Sequence, residues 1–222
     1  MTSATLTLAT DDARVLGAFG RRQLVWDPRL PVRVVSTASA IGLYTAPPLN
    51  VLALFAVPAT IEGDPIDATV SLASLVAEFD ATVGFGTPIR LEALREIAVP
   101  VTSAMSVSHL PPADGWQMPM QALAGDLLVH VDAAVAEFAA RSAGQAESMQ
   151  QSIADEIWER PTWAALPMRV LHAAQRLGMM SNDQSRVSAA TCGPWKRLAT
   201  ARGQVFTRSS RGRTGIGLQV VR

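Results

Sequence analysis

Apolar residues recur at helical spacing in five stretches of the chain and alternate at strand spacing in most of the others. The first helical stretch begins at Thr10, a plausible N-cap, and turns Val15, Leu16 and Phe19 to one face. Asp11 and Asp12 open it and Arg21 and Arg22 close it, an order that suits the helix dipole. Gly17 and Gly20 each cost about 1 kcal/mol relative to alanine, so this helix depends on packing. Residues 32–46 and 49–60 read as two buried strands joined at Pro47-Pro48, because proline cannot sit inside a central ladder. A third strand is expected at 67–70. Ser71 then starts a helix with Leu72, Leu75, Val76, Phe79 and Val83 inward, ended by Gly84 and Gly86. A short helix at 91–96 and a buried strand at 97–101 follow.

Residues 102–118 read as a loop, with Pro111-Pro112 and Asp114-Gly115 as turn signals. Pro119 suits the first position of a long helix, 119–143, whose stripe is Met120, Leu123, Leu127, Val131, Val135 and Phe138. A second helix, 145–159, stops before Pro161. A third opens at Pro167, places Val170, Leu171, Ala174 and Leu177 inward, and ends at Gly178. From Arg186 the helical period is lost. Four short β-type segments follow (RVSAATC, WKRLAT, QVFTR and IGLQVV), separated by turn residues. No internal repeat is evident. The pattern predicts an α+β protein in two parts, a mixed α/β domain over 1–113 and, over 114–222, helices followed by a small β-rich module. That module is expected to be an antiparallel meander or winged-helix-like.

Composition supports a folded core: of 222 residues, 49% are hydrophobic and only 17% charged. Charge changes the picture more. After Asp183 there is no acidic residue, while Arg186, Lys196, Arg197, Arg202, Arg208, Arg211, Arg213 and Arg222 follow. The chain is neutral as a whole, so residues 1–183 hold 11 basic against 19 acidic side chains, a net charge of −8. A basic module joined to an acidic body points to an anionic partner.

A helix pair followed by a β-hairpin tipped by Ser209-Ser210-Arg211-Gly212-Arg213 resembles the wing of a winged-helix DNA-binding domain. The resemblance covers at most residues 145–222, and Gly193-Pro194 interrupts the stretch where a recognition helix would lie. It implies phosphate contacts from Lys196, Arg197, Arg208, Arg211 and Arg213, with Trp195 available for base stacking. The expected function is a non-enzymatic binding protein that contacts nucleic acid through residues 184–222. The alternative is a protein-interaction or assembly module that pairs with a second copy or another protein through helix 119–143. An enzyme with a non-standard site is the third reading.

Standard chemistries are excluded or unsupported. The single lysine follows Trp195, so there is no Walker A loop. Cys192 is the only cysteine and lacks an evident histidine partner, which favours a small packed side chain over a nucleophile. His109, His130 and His172 have no metal-motif spacing, and no cofactor or metal is implied. Asp155, Glu156 and Glu159 read as a solvated acidic face or a docking surface for arginines. Gly212-x-x-Gly215-x-Gly217 does not link a strand to a helix, and Gly84-x-Gly86 is weaker still, so a dinucleotide site is not indicated. The longest uncharged run, 34–61, is broken by Pro47-Pro48 and Asn50 and reads as strands, with no membrane span. No signal peptide is apparent, and a cytoplasmic location is expected.

Eighteen arginines against one lysine suggest the coding bias of a GC-rich bacterial genome such as an actinobacterium's. The segments Leu110-Pro-Pro-Ala-Asp-Gly-Trp116 and Trp195-Lys-Arg-Leu-Ala-Thr-Ala-Arg-Gly203 resemble those of actinobacterial proteins of unknown function. That resemblance implies a lineage and no activity.

Overall fold

The computed structural model describes residues 4–85, 89–90, 96–97, 105–181 and 184–209. Its frame is an eight-stranded antiparallel sheet with helices on one face, and the fold class is α+β. The sheet takes its first four strands from the N-terminal half: β2 (Pro31–Ser36), β3 (Ala40–Thr45), β4 (Leu52–Pro58) and β6 (Asp67–Ser71). The other four come from the C-terminal half: β8 (Gln117–Leu123), β9 (Arg186–Cys192), β10 (Trp195–Thr200) and β11 (Gly203–Arg208). Their order is β6-β2-β3-β4-β11-β10-β9-β8. Three short strands, β1 (Ala4–Thr7), β5 (Thr60–Gly63) and β7 (Ile89–Arg90), make a second sheet in the order β5-β1-β7.

The large sheet contains a structural repeat that the sequence hides. Reading outward from the central β4–β11 pair, the halves run β4-β3-β2-β6 and β11-β10-β9-β8. In one half α1 (Thr10–Leu24) precedes β2 and α2 (Leu72–Phe85) follows β6. In the other, α5 (Met168–Arg176) precedes β9 and α3 (Ala124–Ser142) follows β8. Because β4 and β11 pair antiparallel, these halves are related by an approximate two-fold axis through the pair Gln204–Leu54, Val205–Ala53 and Phe206–Leu52. The C-terminal ends of α1 and α5 meet at the same axis. Arg22 Nη1 donates to Leu177 O at 2.9 Å, and the Arg176 guanidinium lies 5.7 Å from the centre of the Trp26 ring. Gly178, at φ +73°, leaves the Arg22 guanidinium the space that a Cβ would fill.

One continuous core lies between the sheet and the helices, running from Leu16, Phe19 and Phe79 at one end to Val131, Ile157 and Leu171 at the other. A smaller cluster covers the opposite face at the central strands, where Met105 and Val107 pack on Leu52, Trp195 and Phe206.

Several elements differ from the sequence reading. The 32–46 stretch is two strands, β2 and β3, joined by a tight turn in which Thr37 N donates to Ala40 O. That turn contains neither glycine nor proline. The expected helix 119–143 begins as the edge strand β8, and α3 starts only at Ala124. A register shift between Gln117 and Met120 places Met118 (φ +53°) and Pro119 in a bulge, so Pro119 marks an edge strand rather than a helix start. Much of the apolar stripe of α3 is already covered, with Leu127, Leu128 and Val131 buried in the chain's own core, while Val135 is 40% exposed. The C-terminal segments β9, β10 and β11 form a meander inside the large sheet. Residues 184–199 carry no described helix, so the winged-helix alternative does not apply. Most of the expected helix at 91–96 and of the strand at 97–101, and the segment IGLQVV, lie outside the described residues, and Glu96 bridges to Val70. No helix among the described residues is long and apolar enough to cross a membrane.

Candidate functional site

Strand alternation separates the basic residues that the sequence places side by side. On β10, Trp195 and Arg197 point away from the helices, and Lys196 and Leu198 point toward them. Trp195 is buried in the smaller core cluster, with the Arg208 guanidinium 5.5 Å from its ring centre. Arg197 lies 4.4 Å from the centre of the Trp116 ring, and Trp116 donates Nε1–H to Pro112 O at 3.0 Å. Burial lowers the Arg197 pKa, and its Nε meets no hydrogen-bond partner among the described residues. Lys196 crosses to the helix face and donates to Ala165 O at 2.5 Å. Arg211 and Arg213 lie outside the described residues. Of the six residues expected to form one outward basic surface, the four described ones are therefore split between two faces and engaged within the chain.

On the helix face, Lys196 joins residues that are distant in sequence. β11 pairs Thr207 directly with Lys196, so the two side chains share a face. The Thr207 hydroxyl accepts from Arg169 Nη2 at 2.9 Å. Arg169 stands in the first turn of α5, is 11% exposed and is ion-paired with Glu159. Its Nε is buried without a hydrogen-bond partner among the described residues, and burial lowers its pKa. Together these residues border a cleft of about 340 Å³, completed by Arg208 and Ser209. Two cations, Arg169 and Lys196, and one carboxylate, Glu159, thus face a single space, while the Arg208 side chain turns to the opposite face against Trp195.

The strap between α4 (Glu147–Trp158) and α5 forms the cleft's other wall. Residues 160–167 fold back on themselves through an isolated bridge between Pro161 and Pro167, with a short 3-10 turn at Trp163–Ala165. Ala164 and Ala165 both take positive φ, 56° and 53°. That conformation is costly for residues with a Cβ and is held here by Thr162, whose N and Oγ1 both donate to Leu166 O at 2.7 Å. A second cleft of about 490 Å³ lies on the far side of the strap, between Leu127 and His130 of α3 and Trp163.

The acidic residues near this strap do not await the basic tail. Glu156 binds Arg141 Nη2 at 2.6 Å, Glu159 binds Arg169, and Asp155 accepts from Gln151 Nε2 at 2.8 Å. Glu137 accepts from Arg141 at 2.8 Å and from Arg160 at 2.8 Å and 3.0 Å, and these two guanidinium groups lower its pKa to about 2. The half-buried Cys192 donates to Asp114 O at 3.6 Å, and His172 packs edge-on against Trp158 at 4.4 Å. Among the described residues no three His, Cys, Asp or Glu side chains are grouped to hold a metal.

Two family models match the chain, each described as a domain of unknown function: DUF8010 over residues 1–100 and DUF8185 over residues 111–212. No curated protein matches. Solved structures to which the chain is similar include bacterial sliding clamps. A DNA polymerase III beta structure from Caulobacter crescentus has 10% identity and a TM-score of 0.57 over 99% of this chain and 68% of its own. A second C. crescentus beta sliding clamp has 14% identity and a TM-score of 0.56 over the same shares. A Pseudomonas aeruginosa DNA polymerase sliding clamp with ligand has 10% identity and a TM-score of 0.55, again over 99% and 68%. The fold resembles that of the sliding clamps.

This likeness corrects the leading functional expectation. A C-terminal module that reads nucleic acid as a separate winged-helix unit does not fit a clamp-like fold in which β9, β10 and β11, with β8, are half of one continuous sheet. The residues that sequence reasoning missed are Arg169 and Thr207, whereas Glu159, read as part of an acidic face or a docking surface for arginines, does pair with an arginine. Arg169 carried a signal that went unread. It places a cation in the first turn of α5, where the helix dipole disfavours one and where no acidic residue balances it.

Proposed function

We propose that this chain is a non-enzymatic protein-interaction scaffold that assembles through the open edge of its large sheet. One observation carries the reading. The approximate two-fold axis makes β6 and β8 counterparts, yet their outer edges differ. Beyond β6, Val70 bridges to Glu96, and Ile97 N donates to Thr69 O at 2.9 Å. Beyond β8 no strand pairs among the described residues, and the exposed Met118 and Met120 stand on that strand at 80% and 48% accessibility. An unpaired edge with apolar side chains is a template for another strand. The likeness to clamps supports the same reading, with a second copy of the chain as the partner that pairs at β8. The division into domains at 1–113 and 114–222 belongs to this proposal.

Light scattering on the purified chain tests it. The expected result is an oligomer that persists at high salt and reverts to a monomer in a Met118→Glu, Met120→Glu double variant. A wild-type chain that stays monomeric up to high micromolar concentration would overturn it.

A further inference from the structure

Arginines on the two sides of the large sheet are used differently. On the helix side Arg21, Arg141, Arg160 and Arg169 each meet a carboxylate. On the opposite side of the C-terminal half, β8, β9, β10 and β11 carry no acidic side chain. Strand alternation puts Arg197 and Arg208 together on that outward face, since Arg208 pairs directly with Trp195. Both guanidinium groups lie against indoles, Arg197 4.4 Å from the Trp116 ring centre and Arg208 5.5 Å from that of Trp195, and neither is ion-paired among the described residues. Arg208 is exposed and Arg197 half-buried, and Arg186 of β9 extends the same positive face. Stacking on a ring uses the flat side of a guanidinium and leaves N–H groups at its rim for an acceptor. The rings are fixed in turn. Trp195 is buried, while Trp116 donates Nε1–H to Pro112 O at 3.0 Å and packs against Phe206. Arg197 stands opposite Phe206, and Arg208 lies two residues farther along β11, so the two are diagonal neighbours about 7–8 Å apart at the backbone.

We infer that this face is a docking surface for an acidic, extended segment of a partner protein, with Arg197 and Arg208 each clasping one carboxylate. Alternate residues of an extended peptide point the same way and stand about 7 Å apart, which matches the diagonal spacing of the two arginines. A planar guanidinium held in place is well suited to a carboxylate, which it meets through parallel N–H groups. A nucleic acid instead gains affinity with each phosphate neutralised, and three arginines are few for that purpose. The inference rests on the reading of the chain as a protein-interaction scaffold and uses the sheet face, not the β8 edge.

Fluorescence anisotropy of a labelled short peptide that alternates glutamate and serine tests the surface, on the full chain at constant ionic strength. The expected result is saturable binding, with an all-serine peptide giving none. Arg197→Gln and Arg208→Gln each weaken it about tenfold, as loss of a charge-assisted contact should. Lys196→Gln removes the same charge from the opposite face and leaves binding unchanged. Trp116→Leu keeps every charge but frees Arg197 from its ring, and it too weakens binding. A peptide of the same composition with its glutamates in one block binds less tightly than the alternating one. Arg208 is exposed, so its variant decides if Arg197→Gln does not fold. Binding no stronger than the all-serine peptide's, equal binding of the two glutamate peptides, or equal losses in Lys196→Gln and Arg208→Gln overturns the inference. So does tighter binding of a single-stranded oligonucleotide of equal charge that the same arginine variants abolish. Light scattering on the same samples keeps the two readings apart. A chain that assembles but ignores the peptide refutes only this surface, and a monomeric chain that binds the peptide refutes only the β8 edge.

Discussion

The two halves of the large sheet share a plan and differ in how their helices are packed. In the N-terminal half, α1 and α2 lie directly on each other. A Cβ at Gly20 would stand 2.4 Å from Val76 Cγ2, so the glycine is what lets the helices approach so closely. Arg21 and Asp80 clip the same pair at 2.5 Å. In the C-terminal half, α3 and α5 are separated in sequence by an extra helix, α4, and by the strap 160–167. Both clefts described above border that strap. The comparison teaches that the repeated strand-and-helix frame supplies rigidity, while the inserted helix and strap supply the concave, charged surface.

The largest expected effects come from emptying the two ends of the continuous core. Phe79→Ala on α2 removes a fully buried ring and should cost about 4 kcal/mol. Ile157→Ala on α4 should cost about 3 kcal/mol. Because β4 and β11 join the halves, each variant should still unfold in one transition. Urea denaturation followed by circular dichroism and by tryptophan fluorescence checks this, since four of the five tryptophans lie in the C-terminal half. Separate transitions in the two signals would show that the halves are independent units and would break the comparison.

A smaller effect should appear on mild acidification, and its histidine source lies in the C-terminal half. His172 of α5 is half-buried against Trp158, and burial, with Arg176 nearby, lowers its pKa from 6.5 to about 4. The unfolded chain therefore takes up this proton first. The contribution is fully present above pH 6.5, falls away as the pH drops, and stops changing below about 4. Allowing for solvent screening of a half-buried ring, the loss amounts to about 2 kcal/mol. Unfolding free energies of wild type and His172→Gln at neutral pH and near the lower limit measure it. Equal pH dependence in both proteins would remove His172 from the account.

Much of this frame was legible because it rests on local pattern. The helices α1, α2, α4 and α5 follow their apolar spacing, and β9, β10 and β11 follow alternation between turn residues. The misreadings share a cause, which is that long-range pairing decided them. Residues 37–39 turn without glycine or proline because β2 and β3 pair on either side, so 32–46 looked like one strand. Pro119 and Met120 fit a helix start locally, but pairing with β9 makes them part of a bulged edge. The approximate repeat is invisible in sequence because its two-fold axis runs through a contact between residues 52–54 and 204–206. The cleft was hidden for the same reason. Alternation sends Lys196 and Arg197 to opposite faces, and Lys196 then meets Arg169 from another element.

The smallest expected effect concerns what holds the insertion in place. Glu137 of α3 accepts hydrogen bonds from Arg141 of its own helix and Arg160 of the strap, while Arg141 also grips Glu156 of α4. These four side chains tie α3, α4 and the strap together at the surface, where water screens each pair. Glu137→Gln should therefore barely lower the unfolding midpoint, and high salt should erase the difference from wild type. The local consequence should be easier to see than the global one. Met168 N donates to Arg160 O at 2.9 Å and Ala165 N to Thr162 O at 3.0 Å, so these amides report directly on the strap. Hydrogen exchange at both should quicken in the variant, while amides of α1 and α2 keep their wild-type rates. If the strap amides are unaffected, the surface ion cluster is not what fixes the insertion. The strap's anchorage would then rest on Leu166 and Met168, which are buried in the core.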